Sequence, residues 1–194
     1  MYKRQVYRGT NFTDMKDLKA DASIKLGGPE FKNQLKDAER LTDHAVKTYG
    51  KENVSIAGHS LGGAIATVES ARLGLSAEVY NAPGMSDYIQ KEHPNARVEL
   101  VTNHNRASDP VSGNVGTQTG FIRTYPSRYD PGPGVIMPAT PYGDPNTSVA
   151  IANLVGDHSI EPFSNYINNG GTPIDSPTLR TLDGKSRIVE QWND

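Results

Sequence analysis

The stretch Val54-Ser55-Ile56-Ala57-Gly58-His59-Ser60-Leu61-Gly62-Gly63-Ala64 decides how this chain is read. Val54 to Ala57 is a short β-prone run, and from Leu61 to Leu73 small and apolar residues crowd together as in a helix packed on a sheet. Between them stands Gly58-x-Ser60-x-Gly62. A strand that passes through a sharp turn into a helix gives this pattern, and glycines two residues before and after the serine leave room for neighbouring backbone. A serine on such a turn takes strained backbone angles that hold its hydroxyl out over the sheet edge. The helix starting there turns its free N–H groups and positive dipole end toward the same place. Ser60 is therefore the candidate nucleophile and the N–H of Leu61 the nearest oxyanion donor. The alternative is a mere packing turn. The β run before it, the small-residue helix after it and the extra Gly63, which lets that helix lie close to the sheet, favour the nucleophile.

The segments around this turn alternate between helix and strand. Pro29 and Glu30 open a run in which Phe31, Leu35, Ala38, Leu41, Ala45 and Tyr49 recur every three or four residues, and Gly50 stops it. Ala77 to Tyr80 and Arg97 to Val101 are further β-prone runs, separated by Asn81-Ala82-Pro83-Gly84 and a helical piece around Asp87 to Lys91. Val6-Tyr7 belongs to another strand. Such alternation predicts an α/β fold with a mainly parallel sheet flanked by helices. From about Gly113 to Asn146 Pro and Gly break any regular pattern, which reads as a long loop. Ser148 to Val155 and Ser159 to Asn168 look helical, interrupted by Gly156-Asp157-His158. One domain over 1–170 is expected, followed by a polar tail over 171–194 that frays or docks on a neighbour through Ile188, Val189 and Trp192.

Composition removes several classes of function. The 194 residues suit one compact domain, and 35% hydrophobic content with a mean hydropathy of -0.59 leaves no run near the roughly 18 to 20 apolar residues of a membrane span. A formal net charge of -2, with both signs interspersed, lacks the basic footprint of a nucleic-acid binder. The absence of cysteine excludes disulfides, thiolate nucleophiles and Cys-ligated metals. Met1 to Tyr7 has no apolar core after its basic start, so it does not read as a secretory leader. Synthesis in the cytoplasm is expected, with the final location left open.

A serine hydroxyl needs a base, and there are five histidines. His44 falls within the long amphipathic helix, and His59 is inside the turn beside the serine it would have to reach. His93 and His104 read as solvated loop residues. His158, at a break between two helical pieces near the end of the fold, gives the chain order nucleophile, acid, histidine. The acid that orients it is assigned to Asp109, after the fourth strand and at the sheet end where Ser60 emerges. Its rivals are Asp87, Asp130, Asp144 and Asp157. Asp87 suits a helix cap, Asp130 and Asp144 suit turns, and Asp157, adjacent in sequence, points away from His158 on most backbones. A metal site built on His93, His104 and Asp109 lacks ligand spacing.

Four segments together resemble the class 3 lipase family of α/β-hydrolases: Val6-Tyr7-Arg8-Gly9-Thr10, Ile56 to Ala64, Asn105 to Val111 with Asp109-Pro110-Val111, and His158-Ser159-Ile160 followed by Phe163 and Tyr166. The resemblance implies an α/β-hydrolase-like sheet, truncated at the N-terminus because relatives usually carry elements ahead of the Arg-Gly-Thr strand. It carries the nucleophile to Ser60, the acid to Asp109, the base to His158 and the oxyanion donors to the N–H groups of Thr10 and Leu61. Family lipases also tend to carry a lid after the oxyanion strand, for which Phe12, Met15, Leu18 and Ala22 are candidates. The expected function is hydrolysis of lipid acyl esters through an acyl-enzyme on Ser60, of lipase, phospholipase or carboxylesterase type, without metal or organic cofactor. Expected partners are a lipid or small ester substrate, a lipid surface in passing, and another copy or a larger assembly through the tail. Tyr125, Tyr129, Val135-Ile136-Met137 and Tyr142 are candidates for an apolar rim. The competing reading is a lipase-fold binding or assembly module with little or no catalysis.

Overall fold

Seven strands form a single sheet in sequence order in the computed structural model, which describes residues 2–9, 28–127, 158–174, 178–183 and 185–188. Strands β1 (Lys3–Tyr7), β2 (Val54–His59), β3 (Ala77–Tyr80), β4 (Val101–Arg106) and β5 (Gly120–Tyr125) run parallel. Strands β6 (Thr178–Arg180) and β7 (Ser186–Ile188) extend the sheet antiparallel. The described helices are α1 (Pro29–Tyr49), α2 (Leu61–Leu73), α3 (Ser86–Glu92) and α4 (Ile160–Asn168). This is an α/β fold.

Helix α1 forms where the sequence pattern places it. Pro29 fits the first turn, where no N–H is needed, and Gly50 ends the helix at φ 82° with its N–H on the Val46 carbonyl. Its buried stripe of Phe31, Leu35, Ala38 and Thr42 lies against α2, β1 and β2. Helix α2 is buried on nearly all sides and packs on β1, β2 and β3. Sequential parallel strands joined by right-handed crossovers place successive helices on one face. On that face Ile56, Ala64, Val68, Val79 and Ile89 are all at most 1% exposed. Pleating sends Tyr80, next to Val79, to the opposite face, where Phe163 of α4 meets it edge-on with centroids 5.8 Å apart. The sheet thus lies between α1, α2 and α3 on one side and α4 on the other.

Three stretches depart from the sequence reading. Val98–Leu100 is a 3₁₀ turn, and β4 is the polar run after it, from Val101 through Thr102, Asn103, His104 and Asn105 to Arg106. That run is buried because partners meet its polar groups, such as the Thr119 and Phe121 carbonyls that Asn103 Nδ2 reaches at 2.8 and 3.0 Å. The region read as irregular from Gly113 contains β5, introduced by Gly120 at φ 93°, where a Cβ would stand 2.5 Å from the Val101 carbonyl oxygen. Within the stretch set apart as a tail, β6 and β7 lie in the sheet, and Leu179 is buried. The pairing of β6 with β5 is long-range, so local composition does not disclose it, and β7 follows as the hairpin partner of β6. The lid candidates Phe12, Met15, Leu18 and Ala22 and the helix expected over Ser148 to Val155 lie outside the described residues.

Phe31 is 1% exposed and meets Tyr88 edge-to-face, so Phe31→Ala should cost about 3–5 kcal/mol of unfolding free energy, measured by denaturant titration.

Candidate active site

The β2–α2 turn has the geometry its glycines require. Ser60 sits at φ 56°, ψ −127°, a region that disfavours side chains and costs roughly 1–3 kcal/mol. A Cβ on Gly58 would stand 2.2 Å from the Gly62 carbonyl oxygen, and one on Gly62 2.2 Å from that of Tyr7. Gly63 leaves room for Ala82. Strand, turn and neighbouring strand are therefore in backbone contact. The Ser60 N–H donates to the Tyr80 carbonyl at 3.0 Å, which ties the turn to β3. Leu61 is the first residue of α2, where an N–H has no acceptor one turn back inside the helix. This leaves it suited to receive negative charge beside Ser60.

Ser60, His158 and Asp109 are brought together, all at most 7% exposed. His158 Nδ1 lies 2.6 Å from Asp109 Oδ1, and His158 Nε2 lies 2.9 Å from Ser60 Oγ. A carboxylate accepts only, so the Nδ1 proton points to Asp109 and Nε2 is left to accept from the serine hydroxyl. The other carboxylate oxygen of Asp109 accepts the Ser112 N–H at 2.6 Å. Asp109 begins its own turn with its N–H on the Arg106 carbonyl at 3.0 Å, just past the end of β4.

His158 stands two residues ahead of α4, and α4 has a rigid seat. Phe163 is fully buried and sits edge-on to Tyr80 and Tyr125. The Arg106 guanidinium lies over the Phe163 and Tyr166 rings at 5.0 and 4.7 Å, a cation–π contact. Beneath them His104, read from sequence as a solvated loop residue, is 8% exposed in β4. Its Nε2 meets Glu78 at 2.5 Å, its Nδ1 meets the Tyr125 hydroxyl at 2.9 Å, and its ring stacks on Tyr80. Tyr125 is consequently packed inside this cluster and does not rim an acyl site. Asn81 is a further residue that sequence reading passed over. At φ 46° it offers its side-chain oxygen to the Arg106 N–H at 2.9 Å, joining the ends of β3 and β4 next to the Asp109 turn. Its signal is an Asn directly after a β run and before Ala-Pro-Gly.

The remaining candidates separate. His44 is exposed on α1, Asp87 is exposed in the first turn of α3, and His93 caps the end of α3. Thr10, Tyr129, Asp130, Val135, Ile136, Met137, Tyr142, Asp144 and Asp157 lie outside the described residues. Among the described residues no three His, Asp or Glu side chains converge as a metal site would require, and no helix is long and apolar enough to cross a membrane. An open cavity of about 850 Å³ runs beside α4 between Arg106, Ser127, Glu161, Asn165 and Tyr166, and none of Ser60, Asp109 and His158 lines it.

Fold and site together define an α/β protein with a serine, a histidine and an aspartate in hydrogen-bonded sequence at the C-terminal ends of parallel strands. The family model of the Tle-like phospholipase domain, described as phospholipase-like, matches residues 2–121, and the chain belongs to that family. The extracellular phospholipase A1 of Serratia liquefaciens is 35% identical over 124 residues, which cover 64% of this chain and 33% of that protein. The chain thus spans about a third of the length of this curated relative. These similarities point to a lipase and phospholipase family, and not to the class 3 fungal lipases in particular. The family match ends before His158.

His59, beside the serine, is partly buried and donates Nε2–H to the His158 carbonyl oxygen at 2.6 Å. Burial, then the neighbouring His158, lowers its pKa from 6.5 to about 4. As pH falls from 6.5 to 4, the unfolded chain takes up a proton at residue 59 that the folded protein resists, so stability falls across that window. Melting temperature followed from pH 7 to pH 4 should accordingly drop less steeply in His59→Gln than in the wild type.

Proposed function

We propose that this chain is a serine-dependent lipid ester hydrolase of the phospholipase type, acting through an acyl-enzyme on Ser60. The observation that carries the reading is the hydrogen-bonded line Ser60 Oγ, His158 Nε2, His158 Nδ1 and Asp109 Oδ1, at 2.9 and 2.6 Å, on a strained strand-to-helix turn. Ser60 Oγ attacks the ester carbonyl carbon as His158 Nε2 takes the hydroxyl proton. The carbonyl oxygen becomes an oxyanion held by the Leu61 N–H at the positive end of α2, with the Thr10 N–H as second donor by family resemblance. Collapse of the tetrahedral intermediate breaks the ester C–O bond, and His158 returns the proton to the leaving alkoxide. Water, deprotonated by His158, then attacks the acyl-Ser60 carbonyl, and collapse breaks the bond to Ser60 Oγ, which regains the proton from His158 Nε2 as the carboxylic acid leaves. Asp109 keeps the proton on Nδ1 and stabilises the imidazolium formed in each half-reaction.

The choice of a phospholipid acyl ester as substrate rests on the family and on the name of the Serratia relative. Contact with a lipid surface follows from that substrate class.

Ser60→Ala should remove fatty-acid release from phospholipid vesicles and labelling by a fluorophosphonate probe while leaving the circular dichroism spectrum unchanged. Undiminished release in that folded variant would dismiss Ser60 as nucleophile. Asp109→Asn should lower kcat by about three to four orders of magnitude in the same assay, since an amide presents the wrong partner to Nδ1–H.

A further inference from the structure

His59 and Ser60 carry the two polar side chains of the Gly58-His59-Ser60-Leu61-Gly62 turn, and the steps above leave that of His59 unused. Its position is unusual in two respects. It is the immediate neighbour of Ser60, and its imidazole reaches 99 residues along the chain to the main chain of His158, with Nε2 2.6 Å from that carbonyl oxygen. The two rings also lie against each other, centroids 5.0 Å apart and tilted by 43°. A carbonyl oxygen only accepts, so Nε2 of His59 carries the hydrogen.

The reaction disturbs the contact at Nε2 of His158. Nε2 gains and loses a proton in each half-reaction, and Ser60 Oγ leaves it when it becomes acylated. The Nδ1 bond to Asp109 survives, but one bond to a ring leaves rotation and translation about that point. A contact on the main chain of His158 is independent of these exchanges. We propose that His59 is a positioning residue, whose Nε2–H fastens the His158 backbone to the turn that carries Ser60, so that base and nucleophile keep their spacing through the cycle. This rests on the acyl-enzyme reading above.

The chemistry of the side chain suits the task. His59 is held neutral at ordinary pH, and a neutral donor does not oppose the positive charge that His158 acquires. A lysine or arginine there would donate equally well and repel the imidazolium. Gly9 belongs to the same arrangement, since a Cβ on it would stand 2.7 Å from the His59 carbonyl oxygen and 3.1 Å from Ser60 Cβ. The backbone of residues 59 and 60 is thus braced from the β1 side, while the His59 ring braces His158.

The test uses the full chain as wild type, Ser60→Ala, His59→Phe and His59→Gln, each checked for folding by near-ultraviolet circular dichroism. Phenylalanine keeps a ring without the donor. Glutamine places an amide N–H near the position of the histidine Nε2. Readouts are kcat and KM on a soluble short-chain ester, the rate of fluorophosphonate labelling at Ser60, and the downfield proton resonance of a histidine Nδ1–H bonded to carboxylate. Misplacing a reacting group by about 1 Å costs on the order of 10²-fold, so His59→Phe should lower kcat by roughly 10- to 100-fold with labelling slowed in parallel. Its KM should change little, and its downfield resonance should broaden or vanish. His59→Gln should recover kcat to within about threefold of wild type, the scale of one neutral hydrogen bond of altered geometry. A folded His59→Phe with wild-type kcat and resonance would overturn the inference and leave the acyl-enzyme reading standing. Equal impairment of Phe and Gln variants would also overturn it, because ring packing and not the donor would then matter. A wild type that neither labels nor hydrolyses, like Ser60→Ala, would remove the acyl-enzyme reading and this inference together.

Discussion

The backbone of one residue, Ser60 at φ 56°, constrains everything built around it. To hold a side chain at that angle costs roughly 1–3 kcal/mol, and the surroundings must outweigh it. They do so through burial. Ile56 on the strand before, Ala64 and Val68 on the helix after, and Val79 on the next strand are at most 1% exposed. Each large aliphatic among them contributes about 1.5–3 kcal/mol. The packing is close enough that Gly58, Gly62 and Gly63 each occupy a place where a Cβ would collide with the neighbouring chain. Removing the strain would require moving α2 away from β1, and the core with it. The serine hydroxyl stays where the turn puts it because the hydrophobic core holds the turn.

A second support comes from the other face of the sheet. His158 is remote in sequence from Ser60 and depends on α4 being seated correctly. That seat combines aromatic edges from Tyr80 and Tyr125, the Arg106 guanidinium over Phe163 and Tyr166, and the Glu78–His104–Tyr125 hydrogen bonds beneath. Buried polar groups of this kind are costly when unpaired and rigid when paired, which suits a surface that holds His158 within hydrogen-bonding distance of Ser60. The first face of the sheet positions Ser60 by apolar packing, and the second positions His158 by polar and aromatic contacts. Asp109 stands between them, on a turn joined to β3 through Asn81.

The similarity to phospholipases and the geometry support each other and overlap in part. The family match spans 2–121 and takes in Ser60, Leu61 and Asp109. His158 lies beyond it, and its assignment rests on distances.

Much of this was legible in the sequence, for a local reason. The Gly-x-Ser-x-Gly turn, the helix from Pro29 to Tyr49 with its Gly50 stop, and the alternation of strand and helix follow from residue spacing and backbone preference within a dozen residues. Chain order, together with the place of Asp109 after a strand and of His158 at a helix break, singled out three side chains that the structure brings within hydrogen-bonding distance. What the sequence alone did not disclose is long-range. His104 and Asn105 look like loop residues until Glu78, Tyr125 and Gln118 supply their partners, β6 joins the sheet only by pairing with β5 and carries β7 with it, and His59 acquires its contact from a residue 99 positions away. A polar residue's burial depends on whether distant groups satisfy its hydrogen bonds, so its place was decided by tertiary structure. The place of Ser60 was decided by sequence, because the glycines that permit its backbone angle lie beside it in the chain.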